Sequence, residues 1–247
     1  MQPIPISIYY INIRGFKSKS ISLEAILVSL NPDVVVLCEI KTVSAPVIRK
    51  FFEDRGYDII LKKASGIVIA TKFNLLMVNV TKSVHNNVLA GSIRTGSYQS
   101  TIIALYGPQE TEGVAIRTEF YEEVCIEVQA CVDRGSQPIL IGDLNAKISY
   151  HDGISSLSPN GSLLKDVVDQ FELDVLNFSE LSKGKWTRCE FKKGVEEKSV
   201  LDYVITSKLL NAHLTDFQID EERIMSPFWV KNTKISGEKR QYSDHNC

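Results

Sequence analysis

The chain has 247 residues, of which 44% are hydrophobic and 23% are charged, and its formal net charge is −2. This length is near the upper limit for one hydrophobic core, so we predict a single domain over residues 1–247. No apolar run is long enough to span a membrane, and the start of the chain lacks the pattern of a signal peptide. We therefore expect no membrane contact.

The predicted elements alternate between strands and helices along the chain. Strands are predicted at 6–13, 34–37, 59–61, 67–70, 75–80, 92–94, 99–106, 139–141, 200–206 and 214–219, and helices at 23–30, 45–55, 114–132 and 163–171. No internal repeat, low-complexity tract or interdomain linker interrupts this order. The pattern by itself predicts a mixed α/β domain.

Polar residues follow two continuous apolar runs, which are typical of strands buried on both faces. Glu39 follows the run 34–37, and Asp143 and Asn145 follow the run 139–141. A polar residue at such a position emerges at a sheet edge, where binding sites collect. Because Asp143 and Asn145 are two residues apart, an extended backbone would send both side chains to the same side, towards one phosphate.

The residue types at these and similar positions match metal-dependent phosphodiester hydrolysis. Carboxylates can hold a hard divalent cation or take a proton from water, amides offer neutral oxygens and N–H donors, and histidine exchanges a proton near neutral pH. The candidates are Asn12, Glu39, Asp143, Asn145, Asp202, Asp244 and His245. Together they could stabilise charge on phosphoryl oxygens and activate a water molecule.

Each candidate also has an ordinary structural explanation when it is considered alone. Glu39 could be a surface or capping residue, and Asp143 with Asn145 could form an Asx turn. His245 could be a solvated residue near the end of the chain. No single residue is decisive, and it is the ordered set that favours one shared active site.

Six short segments occur in a fixed order between about residue 4 and residue 245. They are Asn-Ile-Arg-Gly at 12–15, Pro-Asp-Val-Val-Val-Leu-Cys-Glu at 32–39, Ala-Leu-Tyr-Gly-Pro at 104–108, Gly-Asp-Leu-Asn-Ala at 142–146, Leu-Asp-Tyr-Val-Ile at 201–205 and Ser-Asp-His at 243–245. In this order they resemble the endonuclease/exonuclease/phosphatase superfamily. Segments 160–165, 171–177, 185–187 and 199–204 resemble, more narrowly, the endonuclease domain of LINE-type non-LTR retrotransposons.

The resemblance implies a DNase I-like fold, a four-layered α/β sandwich in which two packed mixed β-sheets are flanked by helices. It also implies a Mg²⁺ cofactor, with Mn²⁺ as an alternative ion. In that family the residue matching Glu39 binds the metal with help from the one matching Asn12, and the residue matching Asp143 positions or deprotonates the nucleophilic water.

The remaining roles are implied in the same way. Asn145 and His245 would face the scissile phosphate, and Asp244 would orient the imidazole of His245. Tyr106 and Asp202 would complete the polar shell. Ser243 would support it.

Two positions depart from the family pattern or leave a choice. The family places a threonine before the hairpin that precedes the Leu-Asp-Tyr strand, and the candidates here are Thr187 or, in another register, Lys185; we choose Thr187. The family has one more core strand after Ser-Asp-His, whereas only Asn246 and Cys247 follow here. We therefore expect an N-terminal fragment of a longer polyprotein that lacks this strand.

Contact with DNA would depend on local basic clusters, because the chain is not basic overall. One cluster holds Lys183, Lys185, Arg188, Lys192, Lys193 and Lys198, and the other holds Lys231, Lys234, Lys239 and Arg240. In LINE-type endonucleases the hairpin matching 188–199 inserts towards DNA, so we predict contacts by Arg188, Lys192 and Lys193. From the second cluster we predict a contact by Arg240. A solvated surface loop is the equal alternative.

The resemblance implies a Mg²⁺-dependent endonuclease that nicks nuclear DNA and leaves a 3′-hydroxyl, which would prime a reverse transcriptase domain on the C-terminal side. Abasic-site and retrotransposon endonucleases have tyrosine at the position of Tyr106, whereas pancreatic deoxyribonuclease-like and sphingomyelinase-like relatives usually have histidine, so Tyr106 favours a nucleic-acid substrate. A free-standing abasic-site repair endonuclease is the first alternative; Lys41 suits it, but 196–200 lacks the expected tryptophan. The second is a catalytically silent nucleic-acid-binding domain, against which the complete residue set argues.

The five cysteines have no metal-ligand spacing and cannot all pair with one another. Cys125 and Cys131 lie on a helical pattern and are predicted to be core thiols. A reducing intracellular location is therefore expected.

Overall fold

The computed structural model describes residues 5–41, 43–95, 98–148, 157–192, 195–221, 229–231 and 240–242. The first part of the chain forms a small sheet with two helices. Its elements are β1 (Ile8–Asn12), α1 (Phe16–Leu30), β2 (Val34–Cys38), α2 (Ala45–Glu53), β3 (Tyr57–Lys62) and β4 (Ile67–Lys72). These four strands form the first sheet in the order β1-β2-β4-β3, with β1 and β2 parallel.

The second sheet is larger and uses strands from the middle and the later part of the chain. The next elements are β5 (Met77–Asn79), β6 (Val88–Thr95), β7 (Tyr98–Tyr106), α3 (Val114–Asp133), β8 (Gln137–Asp143), α4 (Pro159–Gln170), β9 (Leu173–Val175) and a 3-10 helix (Leu176–Phe178). They are followed by β10 (Ser182–Lys183), β11 (Arg188–Lys192), β12 (Val195–Ser199), β13 (Asp202–Ser207), α5 (Lys208–Asn211), β14 (Phe217–Gln218), β15 (Trp229–Lys231) and β16 (Arg240–Tyr242). The second sheet has the order β5-β6-β7-β8-β13-β9, and β10/β14, β11/β12 and β15/β16 form separate two-stranded sheets.

Three apolar cores hold four layers together. Alternate residues of each central strand point to opposite faces, so that in β2 Val35 and Leu37 pack under α1 and α2 while Val34 and Val36 face the second sheet. In β8, Leu140 packs under α3 and α4, and the residues on either side of it face the first sheet. The order of layers is helices, sheet, sheet, helices, which confirms the predicted four-layered DNase I-like α/β sandwich. No helix in the described ranges is both long and apolar enough to cross a membrane.

Several predicted boundaries differ from the structure. Helix α1 begins at Phe16, seven residues before the predicted start, because Lys19 is buried and Ile21 is exposed, which hides the amphipathic pattern. Helix α4 begins at Pro159, where the Ser158 hydroxyl accepts a hydrogen bond from Gly161 N. Strand β6 is longer than predicted, and β9, β10 and α5 were not predicted.

Candidate active site

Four predicted site residues lie at the ends of strands β1, β7, β8 and β13, on the same side of the two packed sheets. Asn12, Tyr106 and Asp143 each end a strand, and Asp202 begins one. Asp143 is the register partner of both Tyr106 on β7 and Asp202 on β13. Side chains alternate along a strand, so each of these residues points to the same side as the core residue two positions away, into the space between the sheets. The apolar core between the sheets therefore ends in a group of polar side chains.

Asn12 joins a carboxylate of the first sheet's loops to a carboxylate of the second sheet. Its fully buried side chain donates through Nδ2 to Glu39 Oε1 at 2.8 Å and to Asp143 Oδ2 at 2.9 Å. Its Oδ1 accepts from Arg14 N at 3.2 Å, which fixes the orientation of the amide. Asn12, Glu39 and Asp143 are thus brought together as a hydrogen-bonded group.

Glu39 lies where the chain leaves β2 in a left-handed turn, with φ of 54°. Its carbonyl accepts from Gly15 N at 2.8 Å, and Ile40 N donates to Gly66 O at 3.1 Å, so both sides of the turn are tied to neighbouring loops. The Glu39 carboxylate also accepts from Tyr106 OH at 3.1 Å and lies 3.6 Å from Lys41 Nζ. The carboxylate is thereby aimed at the second sheet.

Asp143 and Asn145 do not share one side of an extended segment, so this prediction is wrong. Strand β8 ends at Asp143, and Asn145 has φ of 45°, in the left-handed region. Asp143 Oδ1 accepts from Asn145 N at 3.0 Å, which is the Asx-turn bond of the ordinary explanation. The turn sends Asn145 Nδ2 to Gly107 O at 2.9 Å, in the loop that follows β7.

A second buried asparagine, which sequence reasoning did not single out, supports this turn. Asn160 at the start of α4 donates through Nδ2 to Asn145 O at 3.0 Å and to Pro108 O at 2.7 Å. Its side chain is fully buried, and within the described part of the chain its Oδ1 has no hydrogen-bond partner. Asn160 begins the segment 160–165 that resembles LINE-type endonucleases, and this resemblance could have pointed to it as a site residue.

Asp202 is fixed on three sides by buried polar groups. Thr187 Oγ1 accepts from Asp202 N at 3.0 Å and from Leu201 N at 2.9 Å, and Asn177 Nδ2 donates to Asp202 O at 3.0 Å. Tyr10 OH donates to the carboxylate Oδ1 at 2.7 Å. Thr187 is buried in this arrangement whereas Lys185, the other candidate, is exposed.

Tyr10 and Asn177 were also missed by sequence reasoning. Tyr10 is two residues before Asn12 on β1 and therefore on the same face, so period-two alternation could have revealed it. Asn177 closes the segment 171–177, but nothing in the sequence says that it contacts Asp202.

Burial shapes the electrostatics of the site. The pKa of Tyr106 is raised well above its ordinary value by burial and then by the nearby charges of Glu39 and Asp143. The pKa of Tyr10 is raised by burial and by the charge of Asp202, and that of the Cys38 thiol is raised by burial and by the charge of Asp143. Both phenols are therefore neutral hydrogen-bond donors at physiological pH.

The oxygen donors of this group suit Mg²⁺. In the described ranges no three His, Cys, Asp or Glu side chains are clustered so as to hold a metal ion. Mg²⁺, however, is commonly held through one or two carboxylates and keeps several water ligands. Glu39, with side-chain exposure of 18%, is a hard oxygen donor that solvent can reach, and the buried amide of Asn12 holds its carboxylate, so the residues fit such an ion.

Other predicted residues lie partly or wholly outside the described residues. Ser243, Asp244 and His245 are outside them, as is Lys193. Arg188, partly exposed, begins β11, Lys192 ends it, and Arg240 begins β16. The predicted hairpin over 188–199 is present as the antiparallel pair β11/β12.

The fold has clear relatives among solved structures. The endonuclease domain of TRAS1, a telomere-specific non-LTR retrotransposon, is 17% identical with a TM-score of 0.65, and the match covers 98% of this chain and 95% of that domain. The 3'-5' exonuclease NExo from Neisseria meningitidis is 16% identical, and an AP endonuclease from Archaeoglobus fulgidus is 14% identical; each has a TM-score of 0.72 over 98% of this chain and 97% of the other. At these identities the likeness concerns the fold.

Sequence comparisons give the family. No curated protein sequence matches the chain. The pattern of the Endonuclease/Exonuclease/phosphatase family matches residues 10–245, which include every predicted catalytic and metal-binding residue. The chain therefore belongs to the endonuclease/exonuclease/phosphatase family.

Proposed function

We propose that the protein is a Mg²⁺-dependent DNA endonuclease that nicks one strand and leaves a 3′-hydroxyl. The observation that carries this proposal is the hydrogen-bonded group in which Asn12 joins Glu39 to Asp143. One carboxylate at the open edge suits a hard cation, and the other, buried beside it, suits a base for water. Hydrolysis of a phosphodiester needs both within reach of one phosphorus centre.

Each residue has a defined part in this proposal. Glu39, aided by Asn12, would hold Mg²⁺, which supplies positive charge to the phosphoryl oxygens when it is bound. Asp143 would take the proton of the attacking water, because its carboxylate plane is fixed by the donors Asn12 Nδ2 and Asn145 N. Tyr106 OH orients the Glu39 carboxylate.

The parts proposed for the other site residues follow the family resemblance. Asn145 and His245 would face the phosphate, and Asp244, with support from Ser243, would orient His245. Asp202, held by Thr187, would complete the polar shell.

The cellular role is proposed from the LINE-type segments and from the likeness to the TRAS1 domain. The 3′-hydroxyl left by the nick would prime reverse transcription by a domain on the C-terminal side, inside the cell and on nuclear DNA. Identifying the residues that follow Cys247 in the gene tests this role. Reverse transcriptase sequence there is the expected result, and a stop codon directly after Cys247 would contradict it.

The chemistry is tested by nicking of supercoiled plasmid during a Mg²⁺ titration, with Mn²⁺ in parallel. Asp143→Ala and His245→Ala should each lower the rate by ~100-fold or more, because each removes a general base or a charge-stabilising group. Asp166→Ala, which removes an exposed carboxylate from α4, is the matched control and should keep the wild-type rate. Wild-type rates in both site variants would contradict the assigned roles and favour a catalytically silent domain.

Repair of abasic sites is the second candidate function. It is favoured by the contact between Lys41 Nζ and Glu39 Oε2 at 3.6 Å and by the likeness to an AP endonuclease. Rates on a duplex with one abasic site and on intact supercoiled plasmid separate the two functions. A strong preference for the abasic duplex would support repair and contradict the proposed nicking role.

The β11/β12 hairpin is proposed to contact DNA through Arg188, Lys192 and Lys193, with Arg240 contributing from β16. Shortening 190–198 should change the choice of cleavage site more than the rate on a generic nicking substrate. Sequencing of the nicked ends, together with rates on two unrelated plasmids, provides the measurement. Equal loss on all substrates would count against a role in target choice.

A further inference from the structure

We infer that Tyr10 is a positioning residue for Asp202, holding its carboxylate in the orientation that the proposed nicking reaction uses. This inference rests on the proposed function. Tyr10 lies on β1 of the first sheet and Asp202 on β13 of the second, 192 residues later. The phenol reaches across the space between the sheets, and its hydroxyl donates to Asp202 Oδ1 at 2.7 Å.

Tyr10 and Asn12, two residues apart on β1, each donate a hydrogen bond to a carboxylate of the second sheet. Asn12 reaches Asp143 and Tyr10 reaches Asp202, while Asp143 and Asp202 are register partners on neighbouring strands. The two-residue spacing of Tyr10 and Asn12 therefore matches two adjacent carboxylates. One edge strand sets the positions of both carboxylates relative to Glu39.

Two hydrogen bonds fix the backbone of Asp202, and the hydrogen bond from Tyr10 acts on its carboxylate. Thr187 accepts from its N–H, and Asn177 donates to its carbonyl. Rotation of the side chain would turn the carboxylate away from the site without moving the strand. The hydrogen bond from Tyr10 opposes this rotation, and such bonds to a charged acceptor are among the stronger ones in proteins.

Packing around Tyr10 holds its hydroxyl in place. Tyr10 is 9% exposed and belongs to the core between the sheets, with Cys38 and Val36 in the same cluster. The ring is therefore held by packing, and the hydroxyl has a fixed position.

Tyr57 provides a matched control for the loss of a buried hydroxyl. It is buried on β3, and its OH donates to Pro32 O at 2.6 Å, in the first sheet and apart from the carboxylates. Tyr10→Phe and Tyr57→Phe remove the same atom, and with it the hydrogen bonds to Asp202 and to Pro32. A purely structural role for Tyr10 would make the two variants alike.

The experiment measures kcat and KM for plasmid nicking, together with Tm, in wild type, Tyr10→Phe, Tyr57→Phe, Asp202→Ala and the double variant Tyr10→Phe/Asp202→Ala. We expect Tyr10→Phe to lower kcat by ~10- to 100-fold, as is typical for loss of a partner that orients a site residue, with KM nearly unchanged. Its Tm should fall at least as far as that of Tyr57→Phe, because the lost bond has a charged acceptor, but Tyr57→Phe should keep the wild-type kcat. In the Asp202→Ala background, Tyr10→Phe should cause no further loss, because the two residues act as one unit.

Two other results overturn the inference in different ways. Tyr10 does not act through Asp202 if Tyr10→Phe loses no more activity than Tyr57→Phe. The same conclusion follows if the fold-loss in kcat of the double variant is the product of the two single losses. In both cases the nicking activity itself stands. If wild type does not nick DNA with Mg²⁺ or Mn²⁺, or if Asp202→Ala keeps full activity, the proposed function itself fails at this site and the inference fails with it.

Discussion

The side-chain amide of Asn12 donates to Asp143 at 2.9 Å, although the two residues are 131 positions apart and belong to different sheets. The same nitrogen donates to Glu39 at 2.8 Å. One NH₂ group therefore separates two carboxylates that would otherwise repel each other. The distance between the two proposed chemical functions, metal binding and proton removal, is set by this amide.

Two replacements of Asn12 should differ in their effect on thermal stability, and the loss of its donors should lower activity. Asn12→Ala removes both donors and should lower nicking by ~100-fold or more, because charge stabilisation and base orientation are lost together. Asn12→Asp removes the same donors and adds a third negative charge, so the metal-free protein should have a lower Tm than Asn12→Ala. Mg²⁺ should raise the Tm of Asn12→Asp more than that of Asn12→Ala, because a cation offsets the added charge. Equal shifts in thermal melts with and without Mg²⁺ would contradict a metal site beside Asn12.

Tyr106→Phe should weaken metal binding while the fold is kept. The variant keeps the ring but loses the hydroxyl that donates to Glu39 Oε1 at 3.1 Å. We expect the Mg²⁺ concentration for half-maximal nicking to rise by ~10-fold or more, as for the loss of other groups that orient a metal ligand. Tyr57→Phe is the control and should show the wild-type Mg²⁺ dependence. A Tyr106→Phe variant with an unchanged Mg²⁺ titration would argue against this role.

The stability of the protein should depend on the hydrogen-bond donors of Asn160 and not on the size of its side chain. Asn160→Ala removes the bonds to Asn145 O and Pro108 O and should lower the free energy of unfolding by ~2 to 4 kcal/mol, since buried carbonyls lose their partners. Asn160→Asp has nearly the same shape but adds a buried charge, so it should be less stable still. Urea unfolding measures both. If Asn160→Asp proves the more stable of the two, the two hydrogen bonds are not what Asn160 contributes.

Gly142 should not accept a side chain. A Cβ atom built there would lie 1.9 Å from Leu105 O on β7, so Gly142→Ala must push apart the parallel pair β7/β8 directly before Asp143. We expect poor folding or a loss of several kcal/mol of stability, together with loss of nicking. Gly113→Ala is the control, because a Cβ there meets nothing within 4 Å. Soluble yield and thermal melts of the two variants provide the comparison.

The sequence predicted those parts of the site that follow from strand burial. The apolar runs before Glu39 and Asp143 are continuous because alternate residues fill two different cores, and a polar residue at the end of such a run lies at the sheet edge. The order of the short segments then predicted the four layers, and the structure confirms them. Local pattern and family resemblance agree where the chain is most regular.

The parts that were missed depend on contacts between distant segments. The left-handed turn at Asn145 is held by Gly107 and Asn160, and no local pattern announces these partners. Helix α1 starts early because Lys19, 4% exposed, is buried and Ile21, 83% exposed, is not, which reverses the usual amphipathic order. Tertiary packing overrides residue preference in such cases.

The division of the site between the two sheets ties catalysis to their docking. Glu39 and Asn12 come from the sheet formed by residues 8–72, and Asp143 and Asp202 from the sheet formed by residues 77–207. Neither sheet alone carries the proposed metal ligand together with the proposed base. We expect an opening of the interface by a few ångströms to abolish the proposed nicking while the secondary structure of both halves stays in place, so nicking would report on the native assembly more sensitively than circular dichroism.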